Sequence, residues 1–201
     1  MTASLVHKTQ VTKLDGRKLR TDDSRQKIVS AFLLLIRQGR VAPSAEEVAK
    51  TANVGLRTVF RRFKEMELLY REMVVELQNN FAPEVVKPWK TKGTKNRLQE
   101  LLQRKSIIYE EIMPYRIAAN YHKQHSDFIK HSVEHWIEIE RKVLEHILPF
   151  EREQEYVLFC AIEVALSFET WLQLRVDYHL APSESLVTMK ISLAALLNTI
   201  E

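Results

Sequence analysis

Long stretches of this chain hold neither of the two residues that most often interrupt regular structure. Its 201 residues include only 4 glycines and 6 prolines. Where those breakers are rare, helices can run on without interruption. Apolar residues also recur at helical spacing along most of the chain. The expected fold class is therefore all-α. With 45% apolar and 28% charged residues, the chain can bury a core and does not have the composition of a disordered protein. The length suits one large domain, or a small one joined to a bigger one.

The net charge of +4 conceals an asymmetry. Residues 1–64 carry 14 lysines and arginines against 5 acidic residues, a net of +9, and the remainder carries a net of −5. A basic front and an acidic rear suggest that only the front meets a polyanion. Cys160 is the only cysteine, so no disulfide can form within the chain, and a cysteine-rich zinc site is excluded. The N-terminal residues lack an apolar core of the kind a secretory signal needs. The longest apolar run, VLFCAIEVALSF at 157–168, is too short to cross a bilayer. A soluble, cytoplasmic protein without a membrane partner is expected.

Residues 1–20 contain Lys8, Lys13, Arg17, Lys18 and Arg20. They show no apolar period and read as a basic, flexible arm, either a DNA contact or a solvated tail. A first helix is expected from Asp22 or Asp23, with Ile28, Ala31, Phe32, Leu35 and Ile36 inward and Gly39 at its end. Ser44 and Glu47 have the spacing of a capping box at the start of a second helix. Asn53 suits a left-handed turn, and Gly55 precedes a third helix over Leu56–Phe63. Two short helices joined so tightly form a helix-turn-helix. Val59 and Phe63, four apart, can both face the first helix. Leu56, Arg57, Thr58, Arg61 and Arg62 are then left nearer the outside, followed by Lys64. Guanidinium groups held this way can pair with guanine edges or with phosphates in a major groove.

From Ser44 to Leu69 the chain reads SAEEVAKTANVGLRTVFRRFKEMELL. This resembles, without a gap, the helix-turn-helix pattern of the tetracycline-repressor-type (TetR) family of bacterial regulators. Val48, Ala49, Ala52, Val54, Thr58, Phe63, Glu67 and Leu69 match that pattern in kind or identity. The motif covers about residues 22–75, and the rest of the chain matches only in length and helical character. The resemblance implies a homodimer that binds double-stranded operator DNA, with Ser44, Gly55, Leu56, Arg57, Thr58, Phe60, Arg61, Arg62 and Lys64 at the DNA. Arg57 and Thr58 are assigned to base edges, and Ser44, Arg61, Arg62 and Lys64 to phosphates, although Ser44 can serve as a cap alone. The chain departs from the family where Phe60 replaces the usual phosphate-binding tyrosine and Met66 the usual lysine. Arg62 stands for the usual histidine, and Asn53 for the usual glycine. The resemblance also implies a small-molecule effector, of unknown identity, that changes the spacing of two DNA-binding heads.

The expected organisation is an arm over 1–20, a DNA-binding domain over 21–65, and a larger helical dimerisation and effector domain over 66–201. In the last, a helix is expected from Met66 to Asn79, followed by a loop or boundary over 79–95. Further helices are expected over Lys95–Glu111, interrupted at Pro114, and from Ser126 to Leu148. One long apolar helix is expected over Glu153–Tyr178, and a last one from Pro182. Leu186, Met189, Leu193, Leu196 and Ile200 fall on one face of the last helix and are candidates for a dimer interface. Tyr109, Trp136, Phe159, Glu163 and Trp171 are candidates for a ligand pocket. The alternative for the aromatic residues is plain core. For Glu163 it is a polar spot at a dimer seam, or a salt bridge to Arg175 or Arg116. His131 and His135 are four apart but lack a supporting metal motif, so no metal, cofactor or catalytic residue is expected. The other readings are a helical interaction protein that has lost DNA binding, or a metal-dependent enzyme.

Overall fold

The computed structural model describes residues 11–198, with side chains from residue 23 onward. The described residues form nine helices and no strand: α1 (Val11–Arg37), α2 (Ala45–Thr51), α3 (Leu56–Arg62), α4 (Glu67–Val85), α5 (Thr94–His122), α6 (Asp127–Glu145), α7 (Tyr156–Ala165), α8 (Phe168–Val176) and α9 (Pro182–Leu197). The chain divides into two compact units, and the boundary falls within α4, between Met73 and Val74. Among the described residues no single helix is long and apolar enough to cross a membrane.

In the first unit, α1 buries Ile28, Val29, Ala31, Phe32, Leu35 and Ile36 against α2, α3 and the start of α4. It ends at Gly39, whose φ of 89° lets the Gly39 amide reach the Ile36 carbonyl and the Arg40 amide reach that of Leu35. This reversal satisfies two carbonyls that the helix end would otherwise leave unpaired. The tip of Tyr70 donates to the Val41 carbonyl at 3.0 Å, and its ring meets Phe32 edge-on. The expected start of α1 at Asp22 or Asp23 is corrected: the helix already runs from Val11. Aspartate favours a cap without enforcing one, and Gly16 costs a helix only about 1 kcal/mol. Residues 11–20 are therefore helical, whereas Lys8 and the other residues of 1–10 lie outside the described residues.

In the second unit, Leu98, Leu101, Leu102, Ile108, Tyr109 and Ile112 of α5 form the centre of the core. Trp136 and Leu144 of α6, Phe159 and Ile162 of α7, Phe168 and Trp171 of α8, and Met189 and Leu193 of α9 pack around them. Two prolines do not act as expected. Pro83 sits inside the last turns of α4, and Pro114 sits well inside α5. Each proline removes one backbone hydrogen bond. For Pro114, burial on both sides of it, at Ile112 and at Arg116, Ala118 and Ala119, holds the helix together.

The expected single helix over Glu153–Tyr178 is two helices, parted at Leu166 and Ser167. Ser167 caps α8 by accepting from the Thr170 amide at 3.1 Å. The Leu166 carbonyl turns instead to two donors from α5, Lys105 Nζ at 3.0 Å and the Tyr109 hydroxyl at 2.9 Å. Lys105 is also paired with Glu140 at 3.3 Å, and Glu140 accepts from the indole of Trp136. Burial first, then the nearby Glu140 charge, pushes the Tyr109 hydroxyl well above its ordinary pKa. It therefore stays protonated and keeps donating.

Residues 86–93, between α4 and α5, are held down by two α5 side chains. Arg104 donates to the carbonyls of Lys87 and Pro88 and lies over the Trp89 ring. Glu100 accepts from the amides of Lys90 and Thr91 and from the Thr91 hydroxyl at 2.7 Å. Burial alone would raise the pKa of Glu100, but the bonds from Thr91, Lys90 and Arg104 outweigh it and bring it from 4.5 to about 2. A lowered carboxyl pKa stabilises the fold fully above the unfolded value of 4.5 and no longer does so once pH falls through about 2. In urea titrations across pH, wild type should exceed Glu100→Gln in stability by a constant margin above pH 4.5. That margin should close as the pH approaches 2.

Candidate functional site

In the first unit α2 is joined to α3 by a tight turn. The start of α2 is fixed by Ser44, whose hydroxyl accepts from the Glu47 amide while the Glu47 carboxylate accepts from the Ser44 amide. Two backbone donors are thus satisfied within the segment itself. The helix ends at Asn53, which has a φ of 52°. There the Asn53 amide reaches the Lys50 carbonyl and the Val54 amide reaches that of Ala49. Gly55 follows in an ordinary extended conformation, φ −69° and ψ 144°. Its carbonyl accepts from the amides of Thr58 and Val59 and so begins α3. The left-handed residue in this turn is therefore Asn53, while Gly55 occupies a conformation open to any residue.

The two sides of α3 differ sharply. Val59 and Phe63 are fully buried, and Thr58 is half-buried. Arg57, Phe60, Arg61 and Lys64 are exposed, as is Leu56 at the edge. The guanidinium of Arg25 lies 4.7 Å from the centre of the Phe63 ring and bonds to Glu72. In this unit Arg25, Lys27, Arg40 and Arg71 each pair with a carboxylate, those of Glu72, Asp23, Glu47 and Glu67. Among the described residues, no ion pair engages Arg57, Arg61 or Lys64.

One residue expected at phosphate, Arg62, also has a partner within the unit. Arg62 is half-buried, and its Nε donates to the Ser24 hydroxyl of α1 at 3.0 Å. It therefore braces α3 against α1. Ser24 and Arg25 are the residues the sequence pattern missed. Both act across gaps of more than thirty residues and belong to no local motif.

The expected ligand pocket does not form from its five residues. Tyr109, Phe159 and Trp171 are buried in the filled core, and the Trp171 indole donates to Glu110 at 2.8 Å. Trp136 alone lines the recess found here, a space of about 50 Å³ that it shares with Leu77, Phe81, Ile112 and Arg116. Glu163 lies in a different, open groove beside Cys160, Val164 and Thr170. Its carboxylate is bonded to Arg141 of α6 at 2.8 Å. Arg116 and Arg175, the expected alternatives, pair with Glu169 and Glu110. Two residues that share a helical stripe can still be parted by a helix break, and the break at Leu166 separates Glu163 from Trp171.

The residues of the expected dimer stripe on α9 have partners within the chain. Met189 and Leu193 are each 1% exposed, and Leu186 and Leu196 pack against the same core, so this face is used within the chain. Ile200 lies outside the described residues. The apolar residues that α9 exposes are Val187 and Ile191, one turn apart. His131 and His135 are exposed, and among the described residues no group of three metal-ligating side chains converges.

The turn makes a direct prediction. Asn53→Gly should leave stability nearly unchanged. Asn53→Val, whose branched side chain resists the left-handed region, should lose about 1–2 kcal/mol in urea unfolding. Compared with known proteins, the chain matches no family model and resembles no curated protein in sequence.

Proposed function

We propose that this protein is a homodimeric, sequence-specific DNA-binding regulator of transcription, in the manner of the TetR-type repressors that its α2–α3 segment resembles. In this reading α2 and α3 are a helix-turn-helix, and α3 enters the major groove. The observation that carries the reading is the gathering of three unpartnered cations on α3 and just beyond it; Arg37 and Lys50 also lack an ion pair among the described residues. Four basic side chains of the first unit are neutralised within it. Arg57, Arg61 and Lys64 project together from the outer side of α3 and its end, without an acidic partner among the described residues. Charge left unneutralised on a helix braced by its opposite face suits a polyanion whose phosphates and base edges lie at fixed positions.

Arg57 is assigned to a base edge, and Arg61 and Lys64 to phosphates. Arg62 supports them from behind through Ser24. The chain acts as a repressor, and a small molecule modulates it by binding one of its DNA-competent and DNA-incompetent states better than the other. The recess beside Trp136 and Arg116, at about 50 Å³, would have to open further to hold such a molecule. Two copies would place two α3 helices about 34–36 Å apart on one side of the duplex. They would pair through the exposed Val187–Ile191 face of α9.

The test is a fluorescence-anisotropy titration against DNA from the protein's own promoter region at two salt concentrations. Binding should weaken with salt at a log–log slope of about −0.9 per phosphate neutralised. Arg57→Ala should lose about 1–3 kcal/mol of discrimination at one base pair, and Lys64→Ala should weaken binding to all sequences alike. Equal losses on every operator variant for Arg57→Ala would defeat its assignment. Ile191→Glu should give a folded monomer in sedimentation, since its side chain is exposed in the single chain. A dimer that survives this change would place the interface elsewhere.

A further inference from the structure

Charge alone does not account for the outer side of α3. Phe60 is 47% exposed and Leu56, one turn before it, is 37% exposed. The core does not need them, because Val59 and Phe63 already fill the inner side. At about 100° per residue, Phe60 borders Arg57 and lies between it and the buried edge. A phenyl ring left about half exposed forgoes part of the burial that a core position would give it. A surface that met only phosphates would gain nothing from it.

In the major groove of B-DNA the apolar feature of the four base edges is the C5-methyl of thymine. We propose, building on the DNA-binding reading above, that Phe60, flanked by Leu56, packs against a thymine methyl beside the base pair contacted by Arg57. Arg57 then reads hydrogen-bonding groups while Phe60 reads a methyl group. A phenylalanine suits this role better than a tyrosine, whose hydroxyl would need a polar partner. The sites bound should therefore hold a thymine at one fixed place in each half, and 5-methylcytosine, which carries the same methyl, should be accepted there better than cytosine.

The experiment begins with the full chain and a site selected from random DNA. Each thymine is replaced in turn by deoxyuridine, which removes the methyl and leaves every hydrogen-bonding group in place. Wild type should lose affinity roughly four-fold at one position per half-site, the equivalent of one methyl's burial, and be indifferent at the others. Phe60→Ala should bind the thymine site more weakly than wild type and no longer distinguish it from the uracil site. Its unfolding midpoint, measured alongside, separates this loss from misfolding. If wild type binds the selected DNA but tolerates uracil at every position, or if the uracil penalty persists in full in Phe60→Ala, the proposal is overturned and DNA binding stands. If wild type selects no DNA at all, the reading beneath it fails, and the proposal fails with it.

Discussion

The placement of α3 depends on one left-handed residue. With Asn53 at a φ of 52°, α2 closes on itself through two backbone bonds, and the chain leaves it in the direction that seats Val59 and Phe63 on α1. Burying those two residues decides what α3 shows on its other side. Asparagine tolerates this conformation because its short polar side chain meets little steric conflict there. Arg25 covers the Phe63 ring from outside, and Arg62 reaches back to Ser24. A helix of seven residues is marginal by itself. Here its orientation is fixed by a turn at one end, two buried side chains along it and an arginine strut near the other end.

The second unit solves a different problem. Its core contains a lysine and a glutamate, groups that are costly to bury unless paired. Lys105 and Glu140 pair with each other, and their remaining hydrogen-bonding capacity goes to Tyr109, Trp136 and the Leu166 carbonyl. The region expected to be an effector pocket is therefore largely occupied by the protein's own side chains. One small space left open, about 50 Å³, lies to one side, against α4, α5 and α6.

Features that act over a few residues could be read directly from the sequence. The Ser44–Glu47 cap, the Asn53 turn, the Gly39 terminus and the inward placement of Val59 and Phe63 all follow from residue type and spacing. The exposure of Arg57 and Arg61 follows from the same helical period. Features set by distant partners could not be read in this way. Arg62 looks like any other outward arginine until Ser24, 38 residues earlier, is brought beside it. Met189 and Leu193 form an apolar stripe whether they face their own core or a second copy. Pro114 reads as a stop because the residues packed on both sides of it are not local to it. The exposure of individual α3 residues was therefore legible one by one, whereas the inward packing of Met189 and Leu193 on α9 and the filling of the space around Tyr109 were not.

The break between α7 and α8 has a local cap at Ser167 but no helix breaker. Neither glycine nor proline lies there, and the sequence of both is compatible with one continuous rod. In such a rod the Leu166 carbonyl would bond to the Thr170 amide, which Ser167 now holds. The carbonyl is drawn away by Lys105 and Tyr109, two donors one turn apart on α5. Without them, the least costly way to satisfy Leu166 is to restore its helical partner and straighten the segment. The bend thus joins a local signal, the Ser167 cap, to two donors some sixty residues upstream.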